Sequence, residues 1–440
     1  MQSEQNKEGK KIGLWVAVSL VVGNMIGVGV FTVPSSLASF GSISFFGWVI
    51  SSLGALFLAL IFGNLSKMIY QANGGPYVYT ARGIGSFSGF LVAWGYWISV
   101  WVTNAAISVG FVGYLSVFFP FLAKTPIALA FSALTAIWFL VWVNSRGISK
   151  AGNMQLVTTI LKLVPLFLVS VGGLFFINFD HFVPMNLSGE SNWTALAATT
   201  TITFFAFLGV EAATIPAAQV ENPRKNVSRA TMIGTLVVIV VYILGSMSVM
   251  GVIPPETLAK SNAPFADAAA IMWGENARYF VAAGAMISSF GALNGWILIQ
   301  GQIPASIAVD GLFPQVFAKK NKKGAPVLGI VIGSVLSSIL MMMNYTKGLV
   351  EIFTFFVVLS TLLTLLSYLL STSSYVILAY TKAGEHAMNP MRWITTLIAF
   401  GFSIWAVVGS GMEVVYYGFI MLMLGLPLFV WMKIKMKSNE

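Results

Sequence analysis

The sequence predicts an all-α integral membrane protein with twelve transmembrane helices, and three observations carry the prediction. Of 440 residues, 57% are hydrophobic and only 9% charged, where a soluble domain carries about 25% charged residues. Apolar stretches close to the ~20 residues that a spanning helix needs recur along the whole chain. The Lys and Arg residues between those stretches alternate in density from loop to loop. One membrane domain over residues 1–440 is therefore expected, with the lipid bilayer as its solvent.

The net charge of +10 belongs to short loops, so topology accounts for it and no nucleic-acid partner is expected. The absence of cysteine excludes disulfides and thiolate metal sites. The two histidines, His181 and His386, fall in predicted loops. No metal and no cofactor are expected.

The apolar segments run near 13–35, 43–66, 86–119, 126–145, 153–177, 195–217, 230–253, 278–302, 326–344, 350–380, 393–410 and 414–432. Each must be helical, because backbone groups in lipid have to be paired internally. The first follows a polar start, MQSEQNKEGKK. It lacks a small-residue cleavage site and runs past signal-peptide length, so it reads as a span. Basic residues lie at Lys7, Lys10 and Lys11, then in alternate loops at Lys67 and Arg82, Arg146 and Lys150, Arg224, Lys225 and Arg229, Lys319, Lys320, Lys322 and Lys323, and Lys382 and Arg392, and finally at Lys433, Lys435 and Lys437. That side holds nineteen; the other holds Lys124, Lys260, Arg278 and Lys347. The asymmetry places both termini in the cytoplasm.

Two segments are interrupted. The first contains GNMIGVG, and its Gly23-xxx-Gly27 spacing fits either a close helix contact or a place where the helix unwinds. Unwinding would free backbone groups, with the N–H groups of Val28, Gly29 and Val30 able to hold a carboxylate. The sixth, TITFFAFLGVEAATIPAAQ, contains Gly209, Glu211 and Pro216. If helices 1–5 over 13–177 and 6–10 over 195–380 form two halves, these are the first helices of each half, and 393–432 holds the last two segments. Matched interruptions of this kind point to a transporter binding site.

Isolated polar residues mark the rest. Glu211 is a carboxylate in an apolar span, suited to proton sensing, to balancing a cationic substrate, or to bonding loosened backbone. Lys162, in LVTTILKLVPLFL of the fifth segment, lies about ten residues, or ~15 Å, into the helix. It must either snorkel to the surface or find buried carbonyls or a counter-charge. Tyr96, Trp97, Trp101, Phe204, Phe205, Phe207 and Trp296 are candidates to line a pathway or to pack the core. P-loop, HExxH and GxSxG patterns are absent from the sequence.

GNMIGVGVF, FAFLGVEAAT followed by ENPRKNV, and GWILIQGQ followed by DGLFP resemble the amino acid–polyamine–organocation transporters, nearest to their bacterial arginine/agmatine and putrescine/ornithine antiporters. The resemblance covers almost the whole chain, including GYLSVFFP and IWAVVGSGMEVVYYG. It implies a LeuT-like five-plus-five inverted repeat with two C-terminal helices, helices 1 and 6 discontinuous, in a bacterial inner membrane. It implies substrate contacts from Asn24, Met25, Val28 and Gly29 in helix 1, Asn104 and Ile107 in helix 3, Phe205 and Leu208 in helix 6, Trp296 in helix 8, and Ser360 and Thr364 in helix 10. Tyr96, Glu211 and Tyr368 match a cytoplasm-side gate whose acid is implicated in proton sensing.

Three residues depart from the nearest antiporters: Val28 stands for a carboxylate-binding serine, and Phe205 for an outer-gate tryptophan. Lys162 resembles the helix 5 lysine of sodium-independent members, where the ammonium takes the place of a sodium ion. The implied activity is alternating-access transport of a small amino acid or amine, not catalysis. A basic amino acid or its decarboxylated amine is the leading substrate. A neutral amino acid exchanger or proton-coupled permease is the alternative. A transporter-like sensor is disfavoured by tails of about a dozen residues, and a membrane enzyme or channel by the lack of a catalytic cluster or a filter. A homodimer is plausible from the resemblance.

Overall fold

The first two spans set the pattern of the molecule: one helix broken at mid-length, the next continuous. The computed structural model describes residues 12–70, 74–146, 151–215, 217, 220–344, 346–381 and 388–437, with the backbone alone at 151–161, 436 and 437. Lys7, Lys10, Lys11, Lys150, Pro216, Lys382 and His386 lie outside the described residues.

The helices in the first half of the chain are α1 (Leu14–Met25), α2 (Val28–Ala38), α3 (Ser44–Met68), α4 (Pro76–Gly83), α5 (Ser86–Leu115), the single turn α6 (Phe121–Lys124), α7 (Pro126–Ser145) and α8 (Ala151–Gly172). The second half follows with α9 (Asn192–Phe204), α10 (Pro223–Val252), the single turn α11 (Pro255–Leu258), α12 (Pro264–Trp273), α13 (Glu275–Val309), α14 (Val327–Asn344) and α15 (Leu349–Thr381). The chain closes with α16 (Pro390–Val408), α17 (Met412–Met423) and α18 (Leu426–Lys437). Among the described residues there is no strand, only an isolated bridge from Ile12 to Val220.

Local chemistry explains the helix starts. Proline occupies the first turn of α4, α7, α10, α12 and α16, where its missing N–H would have no intrahelical partner anyway. The Ser191 hydroxyl accepts from the Thr194 amide at 3.2 Å to cap α9, and Asn389 caps α16 by accepting from Arg392 at 2.8 Å.

Ten of the described helical stretches are long and apolar enough to cross a membrane, and α8, the fifth expected segment, is a helix of 22 residues whose part from Lys162 onward is apolar. The sixth expected segment is not among the ten because its helix stops at Phe204. The eighth extends seven residues past the expected end at 302, to Val309. Gly301 does not end it, because there the absent side chain lets α14 pack close: a Cβ on Gly301 would meet Ile330 at 2.5 Å. The twelfth expected segment is two helices, α17 and α18, parted at Gly425. Between spans, α4 and α12 are helices that a search for long apolar runs does not detect.

The long helices α5, α13 and α15 form the centre, with α5 packed against both of the others, while α10 joins α3 to α1. The peripheral faces carry bare apolar side chains such as Phe131 on α7, Leu397 on α16 and Phe419 on α17. A water-facing surface does not carry such a girdle; the chain is an integral membrane protein.

Candidate functional site between two broken helices

The break in the first span lies at Ile26 and Gly27. Ile26 has ψ 87°, which ends α1, and α2 begins at Val28. A helix end leaves its last carbonyls unpaired, and here other elements bind them. The Lys162 ammonium donates to the Gly23 and Ile26 carbonyls at 2.8 and 2.6 Å. The Tyr242 hydroxyl of α10 donates to the Met25 carbonyl at 2.5 Å. Lys162 is 3% exposed, so it does not snorkel. It sits at the carbonyl end of α1, where the helix dipole favours a cation.

The break in the sixth span faces this one. After α9 a 3-10 turn covers Phe205–Phe207, Leu208 is extended, and Gly209 has φ +99°. Only glycine adopts that conformation without strain, and a Cβ at 209 would also come within 3.3 Å of the Asn24 Cβ. A second 3-10 turn, Ala212–Thr214, follows.

Between the breaks lies a cavity of about 20 Å³, room for little more than one water molecule. Its wall contains eight of the expected substrate contacts: Asn24, Met25, Val28 and Gly29 from the first span, Ile107 from α5, Phe205 and Leu208 from the sixth, and Trp296 from α13. The first turn of α2 leaves the N–H groups of Val28, Gly29 and Val30 without intrahelical acceptors. This is the anion-favouring end of a helix. Phe205 lies over Gly29, where a Cβ would come 3.2 Å from the ring, and meets Phe353 edge-on at 6.2 Å. The Val28 side chain is turned to α5; a Cβ on Gly110 would be 2.2 Å from its Cγ2.

Three expected contacts stand outside that wall. Asn104 is fully buried, and its Nδ2 donates to the Gln300 Oε1 at 2.8 Å. Ser360 and Thr364 donate to carbonyls of their own helix, Val357 at 3.1 Å and Ser360 at 2.9 Å. Most of the candidate aromatics pack instead of lining: Phe204 meets Phe402, Phe207 meets Trp48, and Trp97 meets Trp94. Sequence reasoning passed over Thr103 and Ala206 in the wall, and also Tyr242 and Gln300. Of the latter, Tyr242 is a polar residue isolated in an apolar helix, the same signal as Glu211 and Lys162, while Gln300 stands two residues before Gln302.

The three residues expected to form a gate do come together. The Tyr96 and Tyr368 hydroxyls each donate to one oxygen of the Glu211 carboxylate. The cluster ties α5 and α15 to the segment after the sixth-span break, and all three residues are buried. Below it a larger cavity of about 360 Å³ runs between α4, α5 and α13 from Tyr96 to Lys320 and Gly324 in a basic loop. At its lip the Tyr77 hydroxyl donates to Asp310, joining α4 to the end of α13. The vestibule thus reaches Tyr96 of the cluster, and the small cavity lies further along α5, at Thr103 and Ile107.

Residues 12–429 match the family described as amino acid permease. The chain is 32% identical to a putative arginine/ornithine antiporter of Bacillus subtilis (strain 168), over 82% of this chain and 83% of the relative. It is 32% identical to the cadaverine/lysine antiporter of Escherichia coli (strain K12), over 82% of each. It is 31% identical to the putrescine transporter PotE of Haemophilus influenzae, over 97% of this chain and 98% of the relative. A match over nearly its whole length, on a helical membrane scaffold with two facing helix breaks, makes this chain a member of the amino acid permease family.

Proposed function

We propose that the protein exchanges a basic amino acid for another or for its decarboxylated amine across a bacterial inner membrane, by alternating access and without sodium. The observation that carries this reading is the pair of facing breaks. One offers the amides of Val28, Gly29 and Val30 to a carboxylate, and the other offers loosened backbone around Leu208 and Gly209. Three relatives named for arginine/ornithine, cadaverine/lysine and putrescine support the substrate class. Lys162 supports sodium independence, because its ammonium already holds two carbonyls at the end of α1.

In this reading 13–177 and 195–380 are inverted repeats, 393–432 adds two spans, the second of them parted into α17 and α18, and the basic loops and both termini face the cytoplasm. The vestibule is then the cytoplasmic path, and Tyr96, Glu211 and Tyr368 are its gate. Trp296 and Phe205 enclose the substrate, Ser360 and Thr364 lie beside it on α15, and Asn104 meets its distal end. The chain has no enzymatic role, its partners are the substrate and the lipid bilayer, and the resemblance makes a homodimer plausible. One observation favours a neutral substrate instead: the cavity wall is largely apolar, with Met25, Val28, Ile107 and Leu208.

A radiolabelled uptake screen in preloaded and empty proteoliposomes decides between these readings. Uptake of lysine, ornithine or arginine that requires a basic amino acid or amine inside supports exchange. Uptake of neutral amino acids alone refutes the basic-substrate reading, and equal uptake by empty vesicles refutes exchange.

A further inference from the structure

Gln300 is fully buried in the C-terminal third of α13, and its side-chain amide is bonded at both edges. Its Nε2 donates to the Ile330 carbonyl at 2.7 Å and to the Ser334 hydroxyl at 2.9 Å, both on α14. Its Oε1 accepts from Asn104 on α5, and its own carbonyl accepts from the Trp97 indole at 3.0 Å. We propose that Gln300 is a positioning residue for substrate selection: it fixes the Asn104 amide so that Oδ1 is presented as an acceptor to a terminal N–H donor of the substrate. This rests on the reading that substrate binds between the helix breaks beside α5.

The direction of the chain follows from donor and acceptor chemistry. A backbone carbonyl only accepts, so the Ile330 carbonyl requires the NH2 edge of Gln300. The oxygen edge of Gln300 must then face Asn104, and an oxygen requires the NH2 edge of Asn104. Both amide orientations are therefore set by one carbonyl on α14, and the Asn104 Oδ1 is turned away from Gln300. That oxygen is buried and has no donor among the described residues, a costly state for a polar atom. Asn104 adjoins Thr103 and lies one helical turn before Ile107, and both of these line the cavity. An ammonium or guanidinium supplies the missing donor. An apolar terminus leaves the oxygen unpaired, and a carboxylate terminus is repelled. With Gln300 replaced by an apolar residue, the Asn104 amide can turn over and offer its NH2 edge instead, and the preference is lost.

The test is competition between lysine and norleucine, which has the same carbon chain without the terminal amine, in proteoliposomes. Wild type should prefer lysine. Gln300→Met should lower that preference about tenfold, the size expected for one hydrogen bond to a charged group, through the KM for lysine and with norleucine bound as before. In an Asn104→Leu background Gln300→Met should add nothing. Asn104→Asp should restore the preference in the Gln300→Met background, because a carboxylate accepts from either edge. Gln300→Leu provides the same comparison where the Met variant does not fold. A preserved lysine preference in both Gln300 variants, or an equal loss in the Asn104→Leu background, overturns the role of Gln300 alone. Absence of any lysine preference in wild type defeats the basic-substrate reading, and the inference with it.

Discussion

Replacing Lys162 by methionine keeps most of the buried stem and removes the ammonium. The two hydrogen bonds lost, at 2.8 and 2.6 Å to Gly23 and Ile26, are charge-assisted and contribute ~1.5–3 kcal/mol each. Together that is about 3–6 kcal/mol. The variant no longer desolvates an ammonium, which offsets several kcal/mol. It strands two buried carbonyls, however, and those cost ~1–3 kcal/mol each. Against a summed loss of about 5–12 kcal/mol, the several kcal/mol recovered leave a net destabilisation on the order of a few kcal/mol in the assembled break, about tenfold or more in substrate affinity. The assay is uptake KM in proteoliposomes, with a thermal unfolding midpoint measured on the same sample. The variant should show a raised KM and a lowered midpoint. Wild-type affinity and turnover in Lys162→Met would refute the view that this ammonium holds the end of α1 in its binding geometry.

Other expectations follow from the same geometry. Replacing sodium by choline should leave wild-type exchange unchanged; sodium-stimulated uptake would contradict the role given to Lys162. Glu211→Gln turns an acceptor of two tyrosine hydroxyls into a group with one acceptor and one donor edge, so exchange should fall severely or lose its pH dependence; an unaltered pH–flux profile from acid to neutral pH removes the gate. Gly209→Ala places a side chain on a residue at φ +99° and 3.3 Å from Asn24, at a cost of more than ~1 kcal/mol, and transport should be abolished with much of the fold retained. Gly110→Ala drives a methyl group into Val28, an overpacking of about 1–3 kcal/mol, and should lower the unfolding midpoint together with substrate affinity.

The helical membrane architecture was legible because lipid leaves the backbone few choices. Both breaks were legible too: glycines at mid-span in GNMIGVG and FLGVE contradict helix propensity, and both lie where helices end. What escaped was the rotation of side chains about helices. Asn104 and Ile107 are both on α5, but only Ile107 reaches the cavity wall, because the Asn104 amide is bonded to α13. Tyr242 was overlooked although it is as isolated among apolar neighbours as Lys162, and Gln300 because it stands in a more polar stretch beside Gln302. Neutral polar residues cost less to bury than charges and give a weaker sequence signal. The helices α4 and α12 were missed because they are too short to span a membrane and do not stand out in a search for long apolar runs.

In the proposed function, substrate is held by backbone groups where the first and sixth spans break. A structure determined with bound lysine or ornithine tests it most directly. The α-carboxylate should lie within hydrogen-bonding distance of the amides at Val28, Gly29 and Val30, with the side chain passing Trp296 toward Asn104. Substrate resting only in the vestibule below Tyr96, with the space between the breaks still closed, would contradict it.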